Sequence, residues 1–158
     1  MRRRLVLLAA VLAAAAAPRL ARADGDPASD YLLVQRVFFS YELATYPRQK
    51  QALTKAVSAA NKSGYKIRVA VIAGTYDLGS ITVLWRKPRT YARFLGAELS
   101  FVYKQRLLVV MPNGFGFNWP KHSSAAAYTV LAKLKVQRGG AGLLESATAA
   151  VEALEKAG

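Results

Sequence analysis

Two short apolar segments, separated by a helical pattern, dominate the hydrophobic pattern of this chain. The first runs from residue 67 to 73 and is rich in β-branched side chains. The second runs from 107 to 111 and ends at Pro112, which cannot donate to a sheet ladder. Neither segment alternates polar and apolar residues. Strands covered on both faces have this pattern, so we predict that the two segments pair in parallel.

The apolar residues between these segments recur at helical spacing. They are Tyr91, Phe94, Leu95, Leu99 and Val102. A strand, a helix and a second parallel strand form a βαβ unit, whose crossover is expected to be right-handed. With further helices on both sides, the predicted fold class is α/β, a three-layer α/β/α sandwich around a small, mostly parallel sheet.

Three further helices are predicted outside this unit. Residues 47–64 begin with Pro and end with Gly, and residues 123–136 and 143–154 give two more helical patterns. The first of these helices has an apolar stripe formed by Ala52, Leu53, Ala56, Val57 and Ala60. A flexible break is expected at the glycine-rich residues 138–142. The aromatic run 31–41 should pack against the body, either as a strand or as irregular chain.

The first 23 residues have the pattern of an export signal. Arginines at 2–4 precede an apolar run of 13 residues, 5–17, and Ala21-Arg22-Ala23 offers small residues for cleavage. Spanning a bilayer takes roughly 20 residues, so an uncleaved membrane anchor is the weaker interpretation. We predict a signal peptide over 1–23, a single domain over 24–158, and export to the extracellular space, periplasm or cell envelope. Whether the segment is cleaved or retained stays open.

The charge of the chain favours anionic partners. The full sequence has a net charge of +14, and without residues 1–23 its 18 basic and nine acidic side chains leave +9. An anionic cell-envelope polymer or a lipid surface is therefore the expected partner, a protein partner stays open, and nucleic acid is not expected. The alternative is that the basic surface only keeps the protein soluble. Cysteine is absent, so stability must come from the core.

The densest basic cluster surrounds the start of the predicted crossover helix. It consists of Arg86, Lys87, Arg89 and Arg93. Cations at a helix N-terminus oppose the helix dipole unless an anion is near, so the cluster is a candidate anion-binding site. The alternatives are an ordinary solvated face or pairing with Glu98.

Polar side chains also follow the two predicted strands. Asp77 comes after the first and Asn113 after the second, and ligands of open α/β sheets bind beyond the carboxyl ends of the strands. These two residues therefore define a candidate strand-end pocket, although Asp77 could instead cap a short turn over 78–84. Oxygen ligands suit a hard cation such as Ca²⁺, for which the candidate ligands are Asp77, Asp24, Asp26 and Asp30. The N-terminal acids could equally form a solvated terminus, and Ca²⁺ is the only cofactor that the sequence suggests.

Familiar catalytic constellations are missing from the sequence. His122 is the only histidine and no acid lies near it in sequence, so neither a nucleophile–histidine pair nor a zinc site is predicted. Metal-assisted phosphate chemistry would depend on Asp77 together with Asn113. Three aromatic residues could either stack on a glycan or close the core beneath a hairpin. They are Phe115, Phe117 and Trp119.

The order of elements resembles that of the TPM-domain proteins, which include thylakoid-lumen repair proteins and many exported bacterial proteins. The resemblance covers residues 24–157. It rests on the segments Ile-Arg-Val-Ala-Val-Ile, Tyr-Ala-Arg-Phe-Leu and Leu-Leu-Val-Val-Met-Pro-Asn-Gly-Phe-Gly. The chain is also similar to exported bacterial proteins of unknown function that begin with Asp-Gly-Asp-Pro-Ala-Ser-Asp after their signal. The resemblance implies an α/β/α sandwich on the non-cytoplasmic side.

Within the TPM family some members are credited with acid phosphatase activity or Ca²⁺ binding, and others with accessory roles. The family's acidic site would map here onto Asp77, with Asn113 at the neighbouring strand end, and the usual further acids are absent. We therefore expect a secreted, non-enzymatic accessory or binding domain that contacts anionic envelope components through its basic surface. The alternative is a metal-dependent phosphatase-like hydrolase with a site around Asp77.

Overall fold

The computed structural model describes residues 25–158, so the predicted signal peptide and Asp24 lie outside the described residues. Its strands are β1 (Val37–Phe39), β2 (Ile67–Val71), β3 (Arg106–Met111) and β4 (Gly114–Asn118). Its helices are α1 (Pro27–Leu32), α2 (Pro47–Lys62), α3 (Pro88–Glu98), α4 (Ala125–Leu131) and α5 (Gly139–Ala157). Three 3-10 turns cover Tyr41–Leu43, Thr75–Leu78 and Thr82–Leu84.

The two apolar segments pair side by side in the middle of one sheet. β2 and β3 are parallel, with Val69 opposite Leu108, and β1 adds a second parallel neighbour to β2. β4 returns from β3 through a tight hairpin and pairs antiparallel, so the strand order is β1-β2-β3-β4. The predicted α/β class and the parallel pairing are confirmed.

Helices cover both faces of this sheet. Val69 and Val71 point to a layer built from α2, α4 and α5, whereas Ala70 and Ile72 point to a layer built from α1 and α3. Each central strand therefore has its alternate side chains buried in two different cores. This is why neither sequence segment shows a polar face.

The two crossover connections have opposite hands. Both step in the same direction across the sheet, from β1 to β2 and from β2 to β3, yet α2 and α3 cover opposite faces. Val69, which faces the α2 layer, donates its N–H to the Arg36 carbonyl beside β1. In a strand of L-residues, the face to which a side chain points fixes the side to which the N–H of the same residue points, so this hydrogen bond shows on which side of β2 the strand β1 lies. By this test the α3 crossover is right-handed, as expected, and the α2 crossover is left-handed, which is uncommon.

Several predicted boundaries were wrong. α3 ends at Glu98, so Val102 is not part of its buried stripe and is 52% exposed. Within the stripe predicted for α2, Ala52 is exposed. The helix predicted over 123–136 is the shorter α4, and the aromatic run 31–41 contains the end of α1, a loop and the short β1.

The predicted flexible break at 138–142 is in fact the first turn of α5. Packing requires two of its glycines: a Cβ on Gly140 would lie 2.3 Å from the Tyr46 ring, and one on Gly142 would lie 2.7 Å from Gln137. Glycine lowers helix propensity, so the composition indicated a break. Glycine is needed at 140 and 142 because the neighbouring residues leave no room for a side chain there.

Gly116 makes a similar contact between β4 and α3. A Cβ at this position would lie 1.9 Å from the Pro88 carbonyl oxygen and 2.9 Å from the Ala92 Cβ. We expect Gly116→Ala to lower the free energy of unfolding by about 3 kcal/mol, because helix backbone must move away from the strand. Denaturant titration measures this loss.

Gly64→Ala is the matched control for that substitution. Gly64 has φ of +99° and no atom within 4 Å of its Cβ position, so only backbone strain opposes alanine there. That strain costs about 1 kcal/mol. Equal losses in the two variants would contradict the close seating of α3 on β4.

Candidate functional site

The three parallel strands all end at one edge of the sheet, which we call the carboxyl edge. The 3-10 turn 41–43 follows β1, the turns 75–78 and 82–84 follow β2, and Asn113 follows β3. Hydrogen bonds tie these connections together. The Ser40 amide donates to the Val71 carbonyl, and the Asn113 side-chain amide donates to the Arg86 carbonyl at 2.7 Å.

A cavity of about 470 Å³ lies at this edge, between the start of α3, the β3–β4 turn and the end of α4. We call it the basic groove. Its polar lining comes from Lys87, Arg89, Thr90, Asn113 and Tyr128. Its apolar lining includes Phe115, Leu131 and Leu134. No Asp, Glu or His lines the groove, so its chemistry is that of hydrogen-bond donors and positive charge.

The sequence leaves the N-terminus of α3 open towards the groove. Pro88 occupies the first helical position, where its missing N–H costs nothing, and the Lys87 side chain makes no capping hydrogen bond. Amides in the first turn of a helix have no partner within the helix. Arg89 and Thr90 supply such amides beside the cavity.

Arg89 is held in place by an aromatic ring from α4. Its guanidinium lies over the Tyr128 ring, with 4.2 Å from Cζ to the ring centroid. The Tyr128 hydroxyl in turn donates to the Phe117 carbonyl at 3.1 Å and accepts from the Phe117 amide at 3.0 Å. Stacking uses the face of the guanidinium and leaves its N–H groups, which lie in the plane, available for an anion.

The structure divides the predicted basic cluster. Lys87 and Arg89 line the basic groove, whereas Arg86 and Arg93 are exposed outside its lining. Arg86 contributes through its backbone, because its carbonyl accepts from Asn113 while its φ is +58°. Non-glycine residues in this left-handed region carry a strain of about 1 kcal/mol.

Asp77 does not line the basic groove together with Asn113. Asn113 lines the groove, whereas Asp77 is buried, and its Oδ2 accepts from the amides of Ala73 at 2.9 Å and Gly74 at 3.1 Å. The strand-end pocket stays a prediction. Asp77 caps a turn, which was the alternative role predicted for it, but the turn is Thr75–Leu78 and not 78–84.

Asp26 is a buried carboxylate on the face of the sheet that α1 and α3 cover. It caps α1 through the Ala28 amide at 3.2 Å, and the same Oδ1 accepts from the Tyr91 hydroxyl at 2.6 Å. Its Oδ2 has no hydrogen-bond partner among the described residues. Burial raises the pKa of Asp26 to about 6, against the opposing effect of the Tyr91 hydrogen bond.

The predicted Ca²⁺ ligands are dispersed in the part of the chain that the structure describes. Asp26 is buried, Asp30 is exposed on α1, and Asp77 is bonded to backbone amides. Within residues 25–158, no three His, Cys, Asp or Glu side chains converge as a metal site. The Ca²⁺ site stays a prediction, because Asp24 lies outside the described residues.

The aromatic residues of β4 close the core, as one of the two alternatives predicted. Phe115 and Phe117 are buried against the α4 and α5 layer. Trp119 lies between two partners: the Arg106 guanidinium is 3.8 Å from its ring centroid on β3, and the His122 ring stacks on it at 3.8 Å. No extended aromatic ridge for a glycan forms.

Comparison with known protein families, with curated proteins and with solved structures found no match. Among residues 25–158, no helix is both long and apolar enough to cross a membrane.

Sequence reasoning found the two cations of the groove but missed Tyr128. Most of α3 and all of β3 and β4 separate this residue from Arg89 in the sequence, and only the tertiary fold brings the two together. In the sequence, Tyr128 is a tyrosine on a helix without a clear apolar stripe. This pattern does not indicate which residue Tyr128 contacts.

The raised pKa of Asp26 gives a testable pH dependence. The folded state binds a proton below about pH 6 and the unfolded state only below about 3.8, so between these values stability falls as pH rises. At neutral pH, ionisation of this buried carboxyl therefore lowers the free energy of unfolding by about 3 kcal/mol. We expect Asp26→Asn to be more stable than the wild type at pH 7 and to lose that advantage near pH 4, by denaturant titration.

Glu152→Gln serves as the control, since Glu152 is exposed on α5, which packs on the opposite face of the sheet from α1. Its stability difference from the wild type should change little between pH 4 and 7. If Asp26→Asn behaves like Glu152→Gln, burial does not govern the Asp26 carboxyl.

Proposed function

We propose that this chain is an accessory binding domain that contacts an anionic component of the cell envelope through the basic groove. One observation carries the proposal: Lys87 and Arg89 stand at the uncapped start of α3 in a cavity lined by no carboxylate. The envelope location rests on the export signal predicted from the sequence, and the accessory role on the resemblance to TPM-domain proteins.

An anion relieves an unfavourable arrangement at this helix start. The positive end of the helix dipole and two cationic side chains repel one another when no anion lies between them. A phosphate or carboxylate would accept from first-turn amides, from the planar fork of Arg89 and from the Asn113 side-chain amide. The same groups that conflict in the free protein become donors in the complex.

The basic groove has groups that bind an anion but no acid–base pair. Its polar side chains are donors, and the single histidine of the chain, His122, stacks on Trp119 and is not part of the lining. General acid–base catalysis needs a group that can exchange a proton near neutral pH beside the reacting atoms. These residues favour binding of the anion without its chemical conversion.

Binding of polyphosphate, a soluble polyanion without an apolar part, tests the proposal. Because residues 1–23 are predicted to be a signal peptide, the measurement uses residues 24–158. We expect the double variant K87Q/R89Q to bind about 2 kcal/mol more weakly, about thirty-fold in Kd, by calorimetric titration at fixed salt.

The control double variant is K62Q/K104Q, which removes the same charge from exposed positions at the opposite edge of the sheet. It should weaken binding only through long-range electrostatics, which salt screens. Equal weakening of the two variants would show that polyphosphate responds to net charge and not to the basic groove.

A further inference from the structure

Three apolar side chains project from the turns of the carboxyl edge. Tyr41 follows β1 and is 85% exposed, and Tyr76 and Val83 follow β2 and are 87% and 70% exposed. Each sits in a different 3-10 turn, and none packs into either core. Because the three turns lie at the same edge of the sheet, these side chains make that edge a candidate interaction surface.

Cationic side chains lie at the same edge as these apolar residues. The exposed cations there include Arg86, Lys87, Arg89, Lys135 and Arg138. The connecting segments that form the edge contain only two carboxylates among the described residues. Glu42 is exposed beside Gly74, and Asp77 is buried. The edge is therefore strongly basic and also exposes apolar side chains.

The opposite, amino edge has a different character, although Phe101 and Val102 are exposed there. Two of its arginines are engaged within the protein: Arg68 lies over the Tyr103 ring, and Arg106 lies between the rings of Tyr65 and Trp119.

Some other charged groups of the amino edge also have partners within the protein. The Lys66 ammonium donates to the Asn61 carbonyl, and Glu155 reaches this edge, where it accepts from the Ser63 hydroxyl. Glu98 lies at the end of α3 beside the same loops. Exposed cations remain at the amino edge, among them Lys62 and Lys104. The carboxyl edge is therefore distinguished by the basic groove beside its exposed apolar side chains, and not by positive charge alone.

We propose that the carboxyl edge docks on an anionic lipid bilayer. Tyr41, Tyr76 and Val83 enter the interfacial region, and the basic groove holds the phosphate of one lipid head group. Tyrosine suits this depth because its ring is apolar and its hydroxyl is polar. Charge complementarity selects the partner, because each basic side chain near an anionic leaflet strengthens binding about five-fold. The inference rests on the proposed function, since the groove supplies the anion contact.

Vesicle co-sedimentation with three variants tests the proposal. Vesicles of phosphatidylcholine with added phosphatidylglycerol should bind the wild-type chain, and vesicles of phosphatidylcholine alone should not. We expect the triple variant Y41S/Y76S/V83S to lower the partition coefficient on the anionic vesicles by more than about tenfold. Its affinity for polyphosphate should stay within about twofold of the wild type, because no charge and no groove residue changes.

F101S/V102S is the matched control at the amino edge, and it should leave vesicle binding unchanged. K87Q/R89Q should weaken the binding of both vesicles and polyphosphate. Unchanged vesicle binding by Y41S/Y76S/V83S, or a loss in F101S/V102S instead, overturns bilayer docking at the carboxyl edge. Equal binding to both vesicle types does so as well. Failure of the wild type to bind polyphosphate overturns the proposed function itself.

Discussion

The parallel pairing of β2 with β3 is the constraint on which the rest of this structure depends. Apart from Arg68 and Arg106, both strands consist of buried apolar residues, so water must be excluded from both faces of the sheet. Helices therefore have to pack on each side, and every parallel strand must return through a crossover. The consequence for function is geometric: the connections that follow β1, β2 and β3 all emerge at one edge.

The basic groove is a product of how closely α3 approaches the sheet. Gly116 on β4 lets the Pro88 backbone come near the strand, and Gly96 makes room for the Asn118 side chain further along α3. This seating brings the uncapped start of α3 next to Asn113 and within reach of Tyr128. Positive charge at a helix start is tolerated in the free protein because its side chains are exposed and solvated.

A second polar contact fixes the opposite layer. The Tyr91 hydroxyl on α3 donates to the buried Asp26 carboxylate, which also caps α1. This carboxylate is costly to bury, as its raised pKa of about 6 shows, but it joins α1 to the same helix whose N-terminus forms the groove. Anchoring on one face of the sheet and binding at its edge are thus linked through α3.

The amino-acid sequence by itself determined the fold class, the two central strands, α2 and the cluster of cations at the start of α3. These follow from local signals: unbroken apolar runs, helical spacing, and Pro and Gly at helix ends. Tertiary structure alone decided that Val102 lies outside the core and that the glycines at 140 and 142 belong to a helix. It also decided that the Asp77 side chain caps the turn in which Asp77 itself lies. It also placed Tyr128 against Arg89 and gathered Tyr41, Tyr76 and Val83 at one edge. Local patterns specify which face a residue prefers, whereas its neighbours come from distant parts of the chain and depend on how the helices pack on the sheet.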